Sequence, residues 1–151
     1  METVNQLQQQ YVDFLSSLYS EGLLENQFQN IQMLGEDEAQ FVSELLALYF
    51  EDSERCLHNL TTAFDQKDVE YEKVHDIAVE LYDCNLSLGI QRMNNVCVTF
   101  RSCYKSKNLE GCLRCMQQLK DEYYLVKSKL QTLVMLDQRI VAAGGLVPIV
   151  E

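Results

Sequence analysis

Val69-Glu70-Tyr71-Glu72-Lys73-Val74-His75-Asp76-Ile77-Ala78-Val79-Glu80-Leu81-Tyr82-Asp83-Cys84-Asn85-Leu86-Ser87-Leu88-Gly89 reads as one amphipathic helix closed by a glycine. Tyr71, Val74, Ala78, Leu81 and Leu88 recur at helical spacing and define an apolar face. The opposite face reads Glu72, His75, Asp76, Val79, Tyr82, Asp83 and Leu86. Gly89 marks a bend, as glycine does just past a helix end.

Working outward, the same periodicity returns on both sides. A helix from about Ala39 to Asp65 has the stripe Phe41, Leu45, Leu48, Tyr49, Cys56, Leu60 and Phe64, with Lys67-Asp68 as the turn. Beyond Gly89, a helix from Ile90 to about Lys105 points Met93, Val96, Cys97 and Phe100 inward, and Lys107-Asn108 breaks it. A last helix from about Glu110 to Ala143 has Leu113, Met116, Leu119, Tyr123, Val126, Leu130, Leu133 and Ile140, with Gly144-Gly145 at its end. Two earlier helices, about Thr3–Tyr19 and Glu25–Leu34, precede the acidic reset Gly35-Glu36-Asp37-Glu38. Four long helices joined by short turns must be antiparallel neighbours. The expected fold is all-α: an antiparallel four-helix bundle with two additional N-terminal helices. Residues 1–151 are read as one domain, with N-terminal helices in 1–35, the bundle in 39–144 and a loose tail in 145–151.

Composition agrees. The 151 residues are 47% apolar and 23% charged, with a single proline and six glycines. That disfavours disorder and a turn-rich β fold. No apolar run approaches a membrane span, and no basic-then-apolar leader opens the chain. Net charge is −11, and it is unevenly spread. Residues 1–83 hold 18 acidic and 3 basic groups, and residues 84–151 hold 5 and 9. Phosphate backbones need a basic surface, so the charge disfavours nucleic acid, and no nucleic-acid partner is expected. The six cysteines include one Cys112-x-x-Cys115 pair, which is half a zinc site without a second pair. No metal and no cofactor are expected, and the thiols are read as reduced.

One segment resembles a known family. Plant histidine-containing phosphotransfer proteins are six-helix proteins with a four-helix core, and their fourth helix has a signature of the form H-Q-L-K-G-S-S-S-S-I-G-A-x-R-V. The matching stretch here runs from Val79-Glu80-Leu81-Tyr82-Asp83 through Ser87, Gly89 and Arg92 to Met93. Similar stretches include Glu21-Gly22-Leu23-Leu24, Tyr49-Phe50-Glu51-Asp52-Ser53-Glu54, Asn108-Leu109-Glu110-Gly111, Asp121-Glu122-Tyr123-Tyr124 and Ile140-Val141-Ala142-Ala143-Gly144-Gly145. The resemblance spans essentially the whole chain.

The departure is at the chemistry. Counting back from Gly89, the resemblance places the phosphoacceptor position on Val79, the glutamine on Glu80, the assisting lysine on Tyr82 and the glycine on Asp83. Relay needs an imidazole nitrogen as nucleophile, and valine has no lone pair. Asp83 and Glu80 would repel a phosphoryl group where a lysine would attract it. His75, four residues before Val79, is the remaining candidate; it is expected to face solvent beside Asp76 with no lysine near.

The resemblance therefore implies a pseudo-phosphotransfer protein, not an enzyme. It would bind receiver domains of hybrid sensor kinases and response regulators in cytokinin-type signalling without passing phosphate. The implied docking residues are His75, Glu80, Tyr82, Asp83, Leu86 and Arg92 around Val79. The expected state is a monomer in cytoplasm and nucleus, with no membrane partner. The alternative is an active phosphotransfer mediator that uses His75.

Overall fold

A computed structural model describes residues 1–150. Six helices follow one another: α1 Val4–Ser20, α2 Asn26–Leu34, α3 Phe41–Phe64, α4 Tyr71–Leu88, α5 Asn94–Lys105 and α6 Leu109–Ala142. Helices α3 to α6 form a closed ring, α3 beside α4, α4 beside α5, α5 beside α6 and α6 back against α3. Helix α6 has 34 residues and so spans ~50 Å, far past the end of the 12-residue α5. Its free half is covered by α1, while α2 packs on α4.

The local causes are readable. Thr3 and Gln6 form a capping box at the start of α1, and the Asn108 side chain accepts from the Gly111 N–H at the start of α6. In α6 the buried residues Leu119, Tyr123, Val126, Leu130, Leu133, Asp137 and Ile140 alternate three- and four-residue steps, the spacing that keeps a seam on neighbouring helices. In α3 the same spacing selects Leu46, Tyr49, Ser53, Cys56 and Leu60. This corrects the sequence stripe: Leu48 is 56% exposed, and Leu46 and Leu57 are buried in its stead. Helix α3 is packed by α4 and α6 together, so its buried face is rotated from the one that apolar residue type alone suggests. Leu113 and Leu34 are likewise exposed.

Two boundaries also move. Helix α5 begins at Asn94, not Ile90. Ile90 pairs with Leu24 in an antiparallel bridge, the Glu25 N–H donates to the Gly89 carbonyl and the Gln91 N–H to the Leu23 carbonyl. Those bonds use the backbone groups that an earlier helix start would need. They also tie the end of α4 to the α1–α2 junction. Gly89 has φ +71°, and a Cβ there would lie 2.6 Å from the Phe28 nitrogen. Glycine is required at this point on both counts.

The expected loose tail is packed through Val150, Glu151 lying outside the described residues. Gln8 Nε2 donates to the Leu146 carbonyl at 2.8 Å, and Val147 and Val150 pack on the core. A strap thus lies across the far end of α1 and α6.

Candidate functional site

Helix α4 is held at one rotation by a buried side chain. Tyr49 Oη donates to Asn85 Oδ1 at 2.7 Å, and Asn85 Nδ2 donates to the Leu81 carbonyl at 2.8 Å. Val74, Ala78, Leu81, Asn85 and Leu88 face the bundle. Val79 consequently faces out, 41% exposed, with Leu86 at 45%. Asp76, Val79, Glu80, Asp83, Cys84 and Ser87 line a shallow groove along this face.

The groove has two flanks. On the α3 side, Arg55 bridges two carboxylates, Asp52 at 3.0 Å and Glu80 at 2.7 Å. Glu80 is therefore a partnered charge, and Asp76 and Asp83 are the acidic groups left facing out beside Val79. Leu48 lies two turns before Arg55 on the same side of α3. The Tyr49–Asn85 and Arg55–Glu80 contacts set an antiparallel register that places Leu48 level with Leu86. On the α5 side, Arg101 lies one turn before Tyr104 on the exposed edge bordering α4. The His75–Tyr104 contact puts it level with Ala78 and Val79.

Several expected site residues sit differently. Tyr82 is half-buried against the core and is not a free outward phenol. Arg92 lies past the end of α4 and donates from Nε to Glu122 of α6 at 2.5 Å, so it is engaged in the scaffold. His75 does not face solvent alone. Its Nδ1 is 3.0 Å from Tyr104 Oη, and the two rings meet edge to face with centroids 5.6 Å apart. Lys105 and Lys107 line the same cleft as His75, Glu72 and Asp76, contrary to the expectation that no lysine lies near. The sequence reading missed Arg55, Arg101, Leu48 and Asn85. An asparagine on the apolar face of α4 was the one visible signal among them.

The chemistry available on the groove is limited. Burial and then the acids Asp52 and Glu80 push the Cys84 thiol above its ordinary range, so it is a poor nucleophile at neutral pH. Cys56 behind it is pushed up to about 12 by burial. The Cys112 and Cys115 thiols in the first two turns of α6 rise to about 11, again chiefly by burial. Among the described residues no set of three or more His, Cys, Asp and Glu side chains is placed to hold a metal ion. What the face offers is two exposed apolar side chains, two unpartnered acidic groups and flanking arginines, which is the composition of a docking surface.

Comparison with known proteins gives this arrangement a family. The model of the Hpt domain matches residues 44–129, which is α3 through most of α6. Histidine-containing phosphotransfer protein 1 of Arabidopsis thaliana is 45% identical over 147 residues, 97% of this chain and 96% of that protein. Pseudo histidine-containing phosphotransfer protein 6 of the same plant is 35% identical over 144 residues, 93% of this chain and 94% of that one. A histidine-containing phosphotransfer protein from Medicago truncatula, solved by crystallography, superposes with a TM-score of 0.85 at 37% identity, covering 91% of this chain and 95% of that one. Six helices in the same order, a ring closed by a long last helix and an outward groove on α4 thus coincide with full-length sequence similarity, and the chain belongs to the Hpt-domain family of plant histidine-containing phosphotransfer proteins.

Proposed function

We propose that this protein is a pseudo-phosphotransfer module that docks on receiver domains through the α4 groove without accepting phosphate. The observation that supports it is Val79: an outward-facing side chain without a nucleophile stands at the place the family signature gives to histidine. Tyr82 and Asp83 stand where that signature has lysine and glycine. The surrounding scaffold holds this face in place, through the signature glycine Gly89 and the buried Tyr49–Asn85 hydrogen bond. Occupying a receiver without transfer would lower the flux through active phosphotransfer proteins that share it. The pathway proposed is cytokinin-type phosphorelay, in cytoplasm and nucleus.

A second reading has one observation in its favour. Lys105 and Lys107 share the His75 cleft and could balance phosphoryl charge there. Against it, His75 is engaged by Tyr104 and turned toward α5. The test is incubation with a phosphorylated receiver domain, followed by assay for acid-labile, base-stable phosphate. Receiver binding with no such phosphate supports the docking module. Phosphate that disappears in His75→Gln establishes the second reading, and the absence of receiver binding overturns both.

A further inference from the structure

The far end of the molecule from the α4 groove contains a second feature, independent of the reading above. A cavity of about 350 Å³ lies between α1, the α2–α3 loop and the last turns of α6, with the C-terminal strap over it. That is at the small end of ligand-binding volumes, which begin at ~300 Å³. Its apolar wall includes Val42, Val141, Leu146, Val147 and Ile149. Its polar groups are unusual. Asp137 is 7% exposed and occupies a position of the α6 repeat where every neighbour in the seam is apolar or aromatic. No hydrogen bond or ion pair to its carboxylate is made among the described residues. Gln32 is 4% exposed, and its Nε2 donates to Tyr11 Oη at 2.7 Å. This fixes the amide so that Oε1 is left as a buried acceptor without a partner. Ser43 Oγ, which shares a small void with Asp137, is also buried and unpartnered. Glu36, Asp37 and Glu38 stand at the rim, and no basic residue lines the cavity.

We propose that this cavity binds a small primary alkylammonium compound, its head on Asp137 and Gln32 Oε1 and its chain along Val42, Val141 and Val147. Four carboxylates exclude an anion. A neutral ligand would leave the Asp137 carboxylate unpaired, and a buried unpaired charge is expensive. A hard divalent cation needs six or more oxygen ligands, and the described residues offer no such set here. A guanidinium presents five donors in a planar fork, more than the buried acceptors can meet. An ammonium has three donors, which the two Asp137 carboxylate oxygens and Gln32 Oε1 match in number. The acidic rim concentrates cations at the entrance. Burial pushes the Asp137 carboxyl up to about 6, so it is still largely ionised at neutral pH and available to a cation.

The test is titration calorimetry of the full chain at pH 7.5 and constant ionic strength. The probes are n-pentylamine, 1,5-diaminopentane and, as the neutral control, pentan-1-ol. The expected result is saturable one-to-one binding of the amines with Kd of roughly 0.1–1 mM, given six or seven non-hydrogen atoms per ligand. The diamine is expected to bind several-fold tighter, an advantage lost in Glu36→Gln/Glu38→Gln. Asp137→Asn is isosteric and is expected to weaken both amines at least tenfold. Amide shifts in the NMR spectrum are expected to concentrate at residues 35–39 and 145–149. Equal affinity for pentanol, equal affinity in Asp137→Asn, shifts concentrated elsewhere, or no saturable heat up to about 10 mM would each overturn the proposal.

Discussion

Restoring relay by replacing Val79 with histidine is expected to fail when done alone, and the structure says by how much. Val79 is on the surface, so the imidazole disturbs no core packing. Its neighbours decide the outcome. Asp83 is one turn on, with Cβ atoms ~6 Å apart, and a phosphoryl group on the new histidine would bring nearly two negative charges beside it. At ~7 Å and an effective dielectric of ~40, that repulsion is ~2 kcal/mol, reduced toward ~1 by exposure and salt. The carboxylate alone thus slows transfer by roughly five- to thirtyfold. Glu80 contributes less than the sequence suggests, because Arg55 holds it at 2.7 Å. The absence of a lysine at position 82 costs a comparable factor, which Arg101 on the far flank offsets only in part. We therefore expect Val79→His/Tyr82→Lys/Asp83→Gly to exceed Val79→His by about a hundredfold in the rate of phosphate uptake from a phosphorylated receiver. Val79→His/Asp83→Asn falls between them. The asparagine version separates charge from helix propensity, since glycine within a helix costs ~1 kcal/mol. Rates come from single-turnover time courses, with helicity checked by circular dichroism. If Val79→His alone comes within threefold of the triple variant, the electrostatic reasoning is wrong.

Three further perturbations follow from the packing. Gly89→Ala forces an L side chain to φ +71° with its Cβ 2.6 Å from the Phe28 nitrogen, so urea unfolding is expected to show a loss of about 3 kcal/mol or more. Tyr49→Phe removes the donor to Asn85 Oδ1 and leaves that amide oxygen buried, which is expected to lower stability by ~1–3 kcal/mol on the same assay. Asp137 has its carboxyl raised from 3.8 to about 6, so the folded state holds this proton more tightly than the unfolded one. Its contribution is fully present below about pH 3.8 and lost as pH rises through about 6. Asp137→Asn is therefore expected to be more stable than the wild type at pH 7.5, by roughly 1–3 kcal/mol, with the advantage vanishing near pH 4. An advantage that does not change with pH would contradict this.

Helix number, order and most turns were legible because apolar residues recur at helical spacing over long stretches and glycines punctuate them. The misplacements have specific causes. Leu48 and Leu113 are apolar yet exposed, and periodicity cannot distinguish a seam from its flank until the neighbouring helices are known. The start of α5 is misread because a bridge between residues 66 positions apart, Leu24 and Ile90, takes the backbone that local propensity assigns to helix. The C-terminal strap was unreadable for a related reason. Its order comes from Gln8, 138 positions before Leu146, and from the packing of its own Val147 and Val150 on a core built by the helices.

The site shows a different kind of limit. That Val79 offers no nucleophile is a matter of residue type and needs no coordinates. The electrostatics of the groove are a fact of pairing. The sequence places Glu80 and Asp83 together as two repelling charges, and the structure separates them, because Arg55 reaches across from α3 to one and not to the other. His75 shows the reverse case. By sequence it is a surface residue without a cation, yet α5 supplies both a hydroxyl at 3.0 Å and, with the turn after it, two lysines in the same cleft. Each contact comes from a neighbouring helix at a register fixed by buried groups, Tyr49–Asn85 on one side and Tyr104 on the other. A face without a nucleophile whose angle to solvent is nevertheless held by buried contacts on both sides is a surface built to be presented, which is what the proposed docking role requires.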